Sequence, residues 1–216
     1  MHTPRQYRPD KRARESALIR QNPFGLIMNV SGGSPTATHV PMLRAPGPEG
    51  PPPDEAPLSG TRIIGHMARV NPQWRSFTGR PEVLAVFTGP DGYVSPTVYG
   101  VTPAAPTWNY AAVHVHGTVR LIEDADESLA VIQATIDATE AHAPPAWDPA
   151  ESMDYIHRIL AGITAFEITV EAVTSTFKLS QDKPDEIQRR VHDSFAASSQ
   201  GRHRELAALM ADVLDL

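Results

Sequence analysis

Ala111-Ala112-Val113-His114-Val115-His116-Gly117-Thr118-Val119-Arg120-Leu121-Ile122 is the stretch on which the fold turns. Val113, Val115, Val119 and Leu121 alternate with His114, His116, Thr118 and Arg120. A period of two over this length is a β-strand with one apolar and one polar face. Working outward, Phe24–Val30, then Ser31-Gly32-Gly33-Ser34-Pro35, then Thr36–Leu43 reads as a hairpin. Arg62–Ala68 is another strand, and Phe166, Ile168 and Val170 alternate again near the end of the strand region. Val83–Thr88 and Tyr93–Val98 read as a strand pair joined by a tight turn at Gly89-Pro90-Asp91-Gly92.

Helical spacing occurs at Ser16–Arg20, Glu151–Leu160, Pro184–Phe195 and Arg204–Leu214. It also occurs at Asp126–His142, with Leu129, Ile132 and Ile136 on one stripe. Residues 44–58 hold so many prolines that regular structure is excluded, because proline lacks an amide donor and restricts its predecessor. A domain boundary there would leave a first piece too small to bury its own core, so the segment reads as a long connection. The prediction is a mainly β (α+β) chain: one β-barrel domain over residues 1–216, with peripheral helices and C-terminal helices from about 184 to 216.

The chain has 216 residues, 41% hydrophobic and 20% charged, enough to bury a core. It has no cysteine, which excludes disulfides, iron–sulfur clusters, thiolate nucleophiles and thiolate-ligated haem. No apolar leader opens the chain and no apolar run is long enough to span a membrane, so a cytoplasmic protein is expected. Residues 1–20 carry a net charge of +4 within a total of -6, leaving -10 on the rest. An acidic body with a short basic arm is a poor match for nucleic acid. GxGxxG after a strand, a P-loop, HExxH and GxSxG are all missing.

Histidines are the remaining source of chemistry. His66 follows Gly65 in Arg62-Ile63-Ile64-Gly65-His66-Met67-Ala68-Arg69, where the glycine would admit a flat ligand to the backbone. Its imidazole is a candidate metal ligand, although spacing alone favours a satisfied, half-buried strand histidine. His114 and His116 at i, i+2 share a strand face, a fragment of a metal site that needs a third ligand. His39 stands alone, and His142, His157, His192 and His203 read as solvated positions. Pro103-Ala104-Ala105-Pro106-Thr107-Trp108-Asn109-Tyr110 combines rigid prolines with two aromatics. That composition suits either the wall of a pocket for a flat ring or a plug for the barrel. Phe177-Lys178-Leu179-Ser180-Gln181 ends a strand with a lysine placed for a phosphate or carboxylate.

Several of these motifs fall in the order of one family. They are Asn22-Pro23-Phe24-Gly25, Ala37-Thr38-His39-Val40-Pro41, the run Gly65–Trp74, Phe87-Thr88-Gly89-Pro90, Tyr93-Val94-Ser95-Pro96, Pro106–Tyr110, Val113–Gly117 and Phe177–Gln181. In them the chain resembles the PaiB family over about residues 4–215. The resemblance implies a six-stranded antiparallel split barrel and a homodimer with paired ligand sites at or near the subunit interface. Many relatives are described as FMN-binding or as transcriptional regulators.

One departure narrows the expectation. Val98 precedes Tyr99 where PaiB-like sequences carry tryptophan, and Ala104-Ala105-Pro106-Thr107-Trp108-Asn109 follows. This version resembles the haem-dependent piperazate synthases, a branch of the same fold. That resemblance implies haem b ligated by His66 and cyclisation of N5-hydroxy-L-ornithine to L-piperazic acid, an N–N bond forming as water leaves. In its frame Tyr99, His114 and His116 are candidate proton acceptors. Arg69 and Lys178 are candidates for propionate or carboxylate contacts, and Trp108 for packing on the ring. The alternative is an FMN-binding PaiB-like protein, with Lys178 and Arg69 near the phosphate.

Overall fold

The computed structural model describes residues 1–79, 81–141, 143, 145 and 147–216. The predicted two-faced strand is present and longer than expected. The six strands are β1 (Phe24–Ser31), β2 (Ser34–Arg44), β3 (Arg62–Ala68), β4 (Glu82–Val94), β5 (Thr107–Ile122) and β6 (Ile163–Lys178). They close in the order β1-β2-β3-β6-β5-β4. This is the six-stranded antiparallel barrel that the family resemblance implies. The helices are α1 (Ala13–Gln21), α2 (Pro96–Tyr99), α3 (Ala125–Glu140), α4 (Met153–Ile159), α5 (Asp185–Ala196) and α6 (Gly201–Leu214). His142, the last residue of the predicted helix Asp126–His142, lies outside the described residues. Among the described residues no helix is long and apolar enough to cross a membrane.

The chain divides into two compact units. The first comprises Lys11–Phe87 and His114–Val173. In it β1 and β2 pair from Phe24↔Pro41 to Ser31↔Ser34, leaving Gly32-Gly33 as a two-residue loop. Both glycines have positive φ (57° and 80°), the backbone that such a hairpin demands. Between β2 and β3 the proline-rich segment is a connection, as expected, with Ala45 N donating to the Arg62 carbonyl. Ile27, Met42, Ile63, Phe77, Phe87, Phe166 and Ile168 are fully buried, and Phe77 meets Phe166 edge to face at 5.7 Å. A second apolar layer of Ile64, Ile122, Val131 and Ala165 seats α3 on the outer face of the sheet. Asp124 caps α3, accepting from the amides of Asp126 and Glu127, a contact worth about 1 kcal/mol.

The second unit comprises Met1–Asp10, Thr88–Val113 and Thr174–Leu216. Val191 and Phe195 of α5 and Leu206 and Met210 of α6 form its apolar centre. Here the structure overturns one expectation: Gly89-Pro90-Asp91-Gly92 is no turn, because β4 runs straight through it. Buried positions alternate 83, 85, 87, 89 and then resume at 92 and 94, a one-residue slip of the kind a bulge introduces. The signal was real, but tertiary contacts decide its outcome. Arg202 of α6 donates to the Gly89 carbonyl and, at 3.0 Å, to the Asp91 carboxylate. A Cβ on Gly92 would come within 2.5 Å of the Phe195 ring, so the glycine admits α5 to the strand. The predicted strand Tyr93–Val98 correspondingly stops at Val94, and Ser95 caps the single turn of α2.

Candidate functional site

The site grows from the alternation of β3. Ile63 and Met67 point into the barrel, which leaves Ile64 and His66 on the outer face beside Ala165, the cross-strand partner of His66. Gly65 serves the interior rather than a ligand. A Cβ there would meet Phe166 at 2.7 Å and the Pro41 carbonyl at 2.8 Å, on the face opposite His66. Ile64 is roofed by Val131 and Ala134 of α3. Past them, α3 turns Ile132 and Ile136 toward His66, and α4 contributes Tyr155, Ile156 and Ile159.

Between these helices and the strand lies a cavity of 440 Å³, completed by Trp147, Ser152 and Ile163. That volume is within the roughly 300–1,000 Å³ of small-molecule and cofactor sites. Its lining is aliphatic and aromatic, and none of the described lining residues is a lysine, arginine, aspartate or glutamate. Trp147, Tyr155 and Ile159 are each 41–55% exposed, so the mouth of the cavity is apolar too.

His66 is the titratable side chain of basic character in this wall. Burial pushes its imidazole pKa below the ordinary value, so the ring is neutral at pH 7 with a lone pair available. Its Nδ1 is buried and has no hydrogen-bond partner. A buried polar atom left without a partner costs about 1–3 kcal/mol, and buried polar groups are normally satisfied. Nδ1 has almost no accessible surface, so the other ring nitrogen is the one that could reach a group held in the cavity. The donor set therefore fits one imidazole bond to the iron of a flat, largely apolar macrocycle.

Of the other residues singled out in the sequence, Arg69, His114 and His116 share the unit of His66. Arg69 donates through Nε and Nη2 to the carbonyl of Ile163, at 3.2 and 3.0 Å, and lies 5.7 Å from the Trp74 ring. It thereby fixes one cavity-lining residue by its backbone. His114 is half-buried and His116 exposed, on one face of β5 as predicted. Burial, reinforced by the charge of His116, lowers the pKa of His114. Among the described residues no cluster of three or more His, Asp or Glu could hold a metal ion, so the His114–His116 pair lacks its third ligand.

Their distance from the cavity follows from the ladder. Arg120 bonds Glu167 at 3.0 Å and Gly117 abuts the Thr169 carbonyl, so β5 and β6 run antiparallel with Ile122 near Ala165. His114 lies eight positions from Ile122, roughly 26 Å along the strand at about 3.3 Å per residue.

Tyr99, Trp108 and Lys178 belong to the second unit. Trp108 is 54% exposed and packs edge-on to Tyr93 at 5.9 Å. Lys178 hydrogen-bonds the Thr107 hydroxyl and lies 5.8 Å from the ring of Tyr7. Tyr99 is buried, and burial raises its phenol pKa, so it is a proton donor at neutral pH rather than a base. The sequence reading missed the cavity's apolar wall. Ile132 and Ile136 stand one helical turn apart, and Ile156 and Ile159 three residues apart, a pattern identical to that of a helix face packed on a core.

Residues 1–172 match the family model described as "Putative FMN-binding domain". The chain is 31% identical over 199 residues to "Protease synthase and sporulation protein PAI 2" of Bacillus subtilis, covering 91% of this chain and 90% of that protein. An uncharacterized protein of Emericella nidulans is 28% identical over 201 residues, covering 76% of this chain and 78% of its own length. Among solved structures, the FAD and heme binding protein from Mycobacterium smegmatis superposes with a TM-score of 0.54 at 18% identity, covering 82% of this chain and 76% of that one. The flavocytochrome Anf3 from Azotobacter vinelandii gives 0.57 at 14% identity, covering 87% and 78%. At such identities these two similarities establish a shared fold.

Proposed function

The chain belongs to the FMN-binding split-barrel family, and on that premise we propose that it is a haem-dependent cyclase acting on N5-hydroxy-L-ornithine. The observation that carries the cofactor half of this reading is the imidazole of His66, kept neutral by burial, in the wall of an apolar cavity. The reaction half rests on the resemblance of Val98-Tyr99 and Ala104–Asn109 to the piperazate synthases. One fold-mate is an FAD and heme binding protein and another a flavocytochrome, which supports a haem reading of this fold without assigning it to this chain.

His66 would ligate the iron of haem b, and the cavity lined by Ile132, Ile136, Ile156, Ile159, Trp147 and Tyr155 would hold it. When bound, the group supplies a Lewis acid that polarises the N–O bond of the hydroxylamine. The chain's own residues do the rest. Apolar walls exclude water from the reacting atoms. Burial keeps His66 neutral, and so able to donate its lone pair, at pH values where a surface histidine begins to charge.

The α-nitrogen forms the new N–N bond with its lone pair, and the N–O electrons depart with the oxygen. The proton shed by the α-amine completes the water, so no oxidant or reductant is consumed. A neutral α-amine requires a proton acceptor within hydrogen-bond reach. Tyr99 is the wrong acid–base partner at neutral pH, whereas His114, kept neutral by burial, is the right kind of group. Since His114 lies far along β5 from the cavity of its own chain, the reading includes a homodimer in which a second copy brings an acceptor to His66.

Visible absorption of the protein after haem reconstitution tests this. A Soret band present in the wild type and lost in His66→Ala is expected. A second reading, an FMN-binding protein, is favoured by the family match over residues 1–172. Flavin bands in the purified protein, with no haem uptake by either form, would replace the first reading with the second.

A further inference from the structure

Arg69 reaches the His66 site without lining it. It follows the last residue of β3, and it lies outside the described lining of the cavity. Its donors are turned onto the neighbouring strand. The Arg69 amide donates to the Gly162 carbonyl at 2.8 Å, which carries the β3–β6 ladder one step past its last pair, Ala68↔Ile163. Its Nε and Nη2 both donate to the Ile163 carbonyl, at 3.2 and 3.0 Å. The donors of one residue thus converge on two successive carbonyls. A planar guanidinium that places two donors on one acceptor fixes direction as well as distance, which an ammonium does not.

Arg69 is itself held from the other side. Trp74 Nε1 donates to the Arg69 carbonyl at 2.8 Å. The Trp74 ring lies 5.7 Å from the Arg69 guanidinium and 5.2 Å from that of Arg75. Between them, the Asn71 amide donates to the Ala68 carbonyl and its side chain to the Thr38 hydroxyl, each at 2.9 Å. The corner after β3 is therefore tied to β2, and Arg69 projects from a fixed base.

What the two carbonyls carry decides the consequence. Ile163 lines the cavity, and the Leu160–Gly162 turn before it continues α4, which supplies Tyr155, Ile156 and Ile159 to the lining. Little else fixes α4. Among its described residues Ile156 alone is buried, and Ser152 gives it no side-chain cap. A helix of this length does not hold itself together in water, so its ends decide where it stands. Its C-terminal end hangs on the Arg69 contacts.

We propose that Arg69 is a positioning residue for the His66 site. Acting through the Gly162 and Ile163 carbonyls, it sets where the α4 wall stands and so the fraction of chains ready to receive a flat ligand. Apparent affinity falls in proportion to that fraction. This role replaces the carboxylate contact that the sequence resemblance suggests for Arg69. The identity of the ligand rests on the haem reading, whereas the pinning of α4 does not.

Two measurements on the full chain test it. The first is hydrogen–deuterium exchange of the cofactor-free protein. Arg69→Met should speed amide exchange over residues 153–163 about five- to tenfold, as loss of a charge-assisted hydrogen bond does, and leave the β1–β2 hairpin unchanged. The second is Soret titration with haem and with haem dimethyl ester, whose carboxylates carry no charge. Arg69→Met should weaken both by the same factor, about five- to tenfold, and Arg69→Lys, which keeps one donor, should recover part of each loss. A loss confined to haem and absent with the ester would make Arg69 a direct carboxylate contact and overturn the proposal. Unchanged exchange over residues 153–163 in folded Arg69→Met overturns it too, as does unchanged affinity for both porphyrins. If the wild type takes up neither porphyrin, the haem reading falls and the exchange comparison alone decides the role of Arg69. Should Arg69→Met fail to fold, Arg69→Lys against wild type gives the same comparisons, with smaller losses that are equal for the two porphyrins.

Discussion

Replacing His66 by leucine should stabilise the cofactor-free protein. In the wild type the Nδ1 of His66 is buried without a partner, a deficit of about 1–3 kcal/mol. Leucine removes that atom, places apolar surface against Ile132 and Ile163, and leaves the outer layer of Ile64 and Ala165 untouched. A net gain of about 1–2 kcal/mol follows once imperfect repacking is subtracted, or roughly 2–8 °C in Tm for a chain of this size. The pH dependence carries the diagnostic sign. Because burial lowers the folded pKa of His66, the unfolded chain binds its proton more readily. Wild-type stability is therefore lost as pH falls below the unfolded value of about 6.5, toward the lower folded pKa. Leucine has no such loss, so the variant's advantage should widen between pH 7 and pH 5.5. Calorimetry of both apo proteins at the two pH values measures it. A leucine variant less stable than wild type, or a gap that does not grow in acid, would show that His66 is satisfied within the protein and that the cavity does not call for a ligand. With haem present the order should invert, because ligand binding stabilises only the protein that can hold it.

Gly117→Ala drives a Cβ to 2.1 Å from the Thr169 carbonyl, where backbone cannot yield, so a loss of at least about 3 kcal/mol is expected in denaturant unfolding. Glu167→Gln leaves Arg62 and Arg120 facing a neutral amide. A fully buried pair would cost about 3–5 kcal/mol to break, but Arg62 is 55% exposed, so urea unfolding should report nearer 1–2 kcal/mol. Asp182→Asn should flatten the acid limb of the stability curve. Burial disfavours its ionised form, but the hydrogen bond and charge of Lys183 outweigh it and hold the carboxyl below its usual range. The depressed carboxyl stabilises the fold above its unfolded pKa, and that contribution disappears as pH falls through the folded value. Mixing His66→Ala with His114→Ala chains should restore partial cyclase activity if a second copy supplies the acceptor, and neither homogeneous preparation should be active.

The barrel was legible because its strands are amphipathic. Val113, Val115 and Val119 face in, and their neighbours face out, so period two survives without any knowledge of partners. The Gly32-Gly33 turn was legible for a local reason as well, since it needs only backbone freedom. Gly89-Pro90-Asp91-Gly92 was misread because the residues that keep it extended, Arg202 and Phe195, lie more than a hundred positions away. His66 stood out by motif, but the cavity that gives it meaning is made of isoleucines whose spacing also suits plain core packing. Nor could spacing reveal that Tyr7, at the far end of the chain from Lys178, packs against it.

Haem bound at His66 would support a redox-neutral cyclisation. Anaerobic incubation of the haem-reconstituted protein with N5-hydroxy-L-ornithine, followed by mass spectrometry, tests it most directly. The expected product is L-piperazic acid, one water lighter than the substrate, formed without added oxidant or reductant and abolished in His66→Ala. Unchanged substrate in the presence of protein carrying a full complement of haem would contradict it.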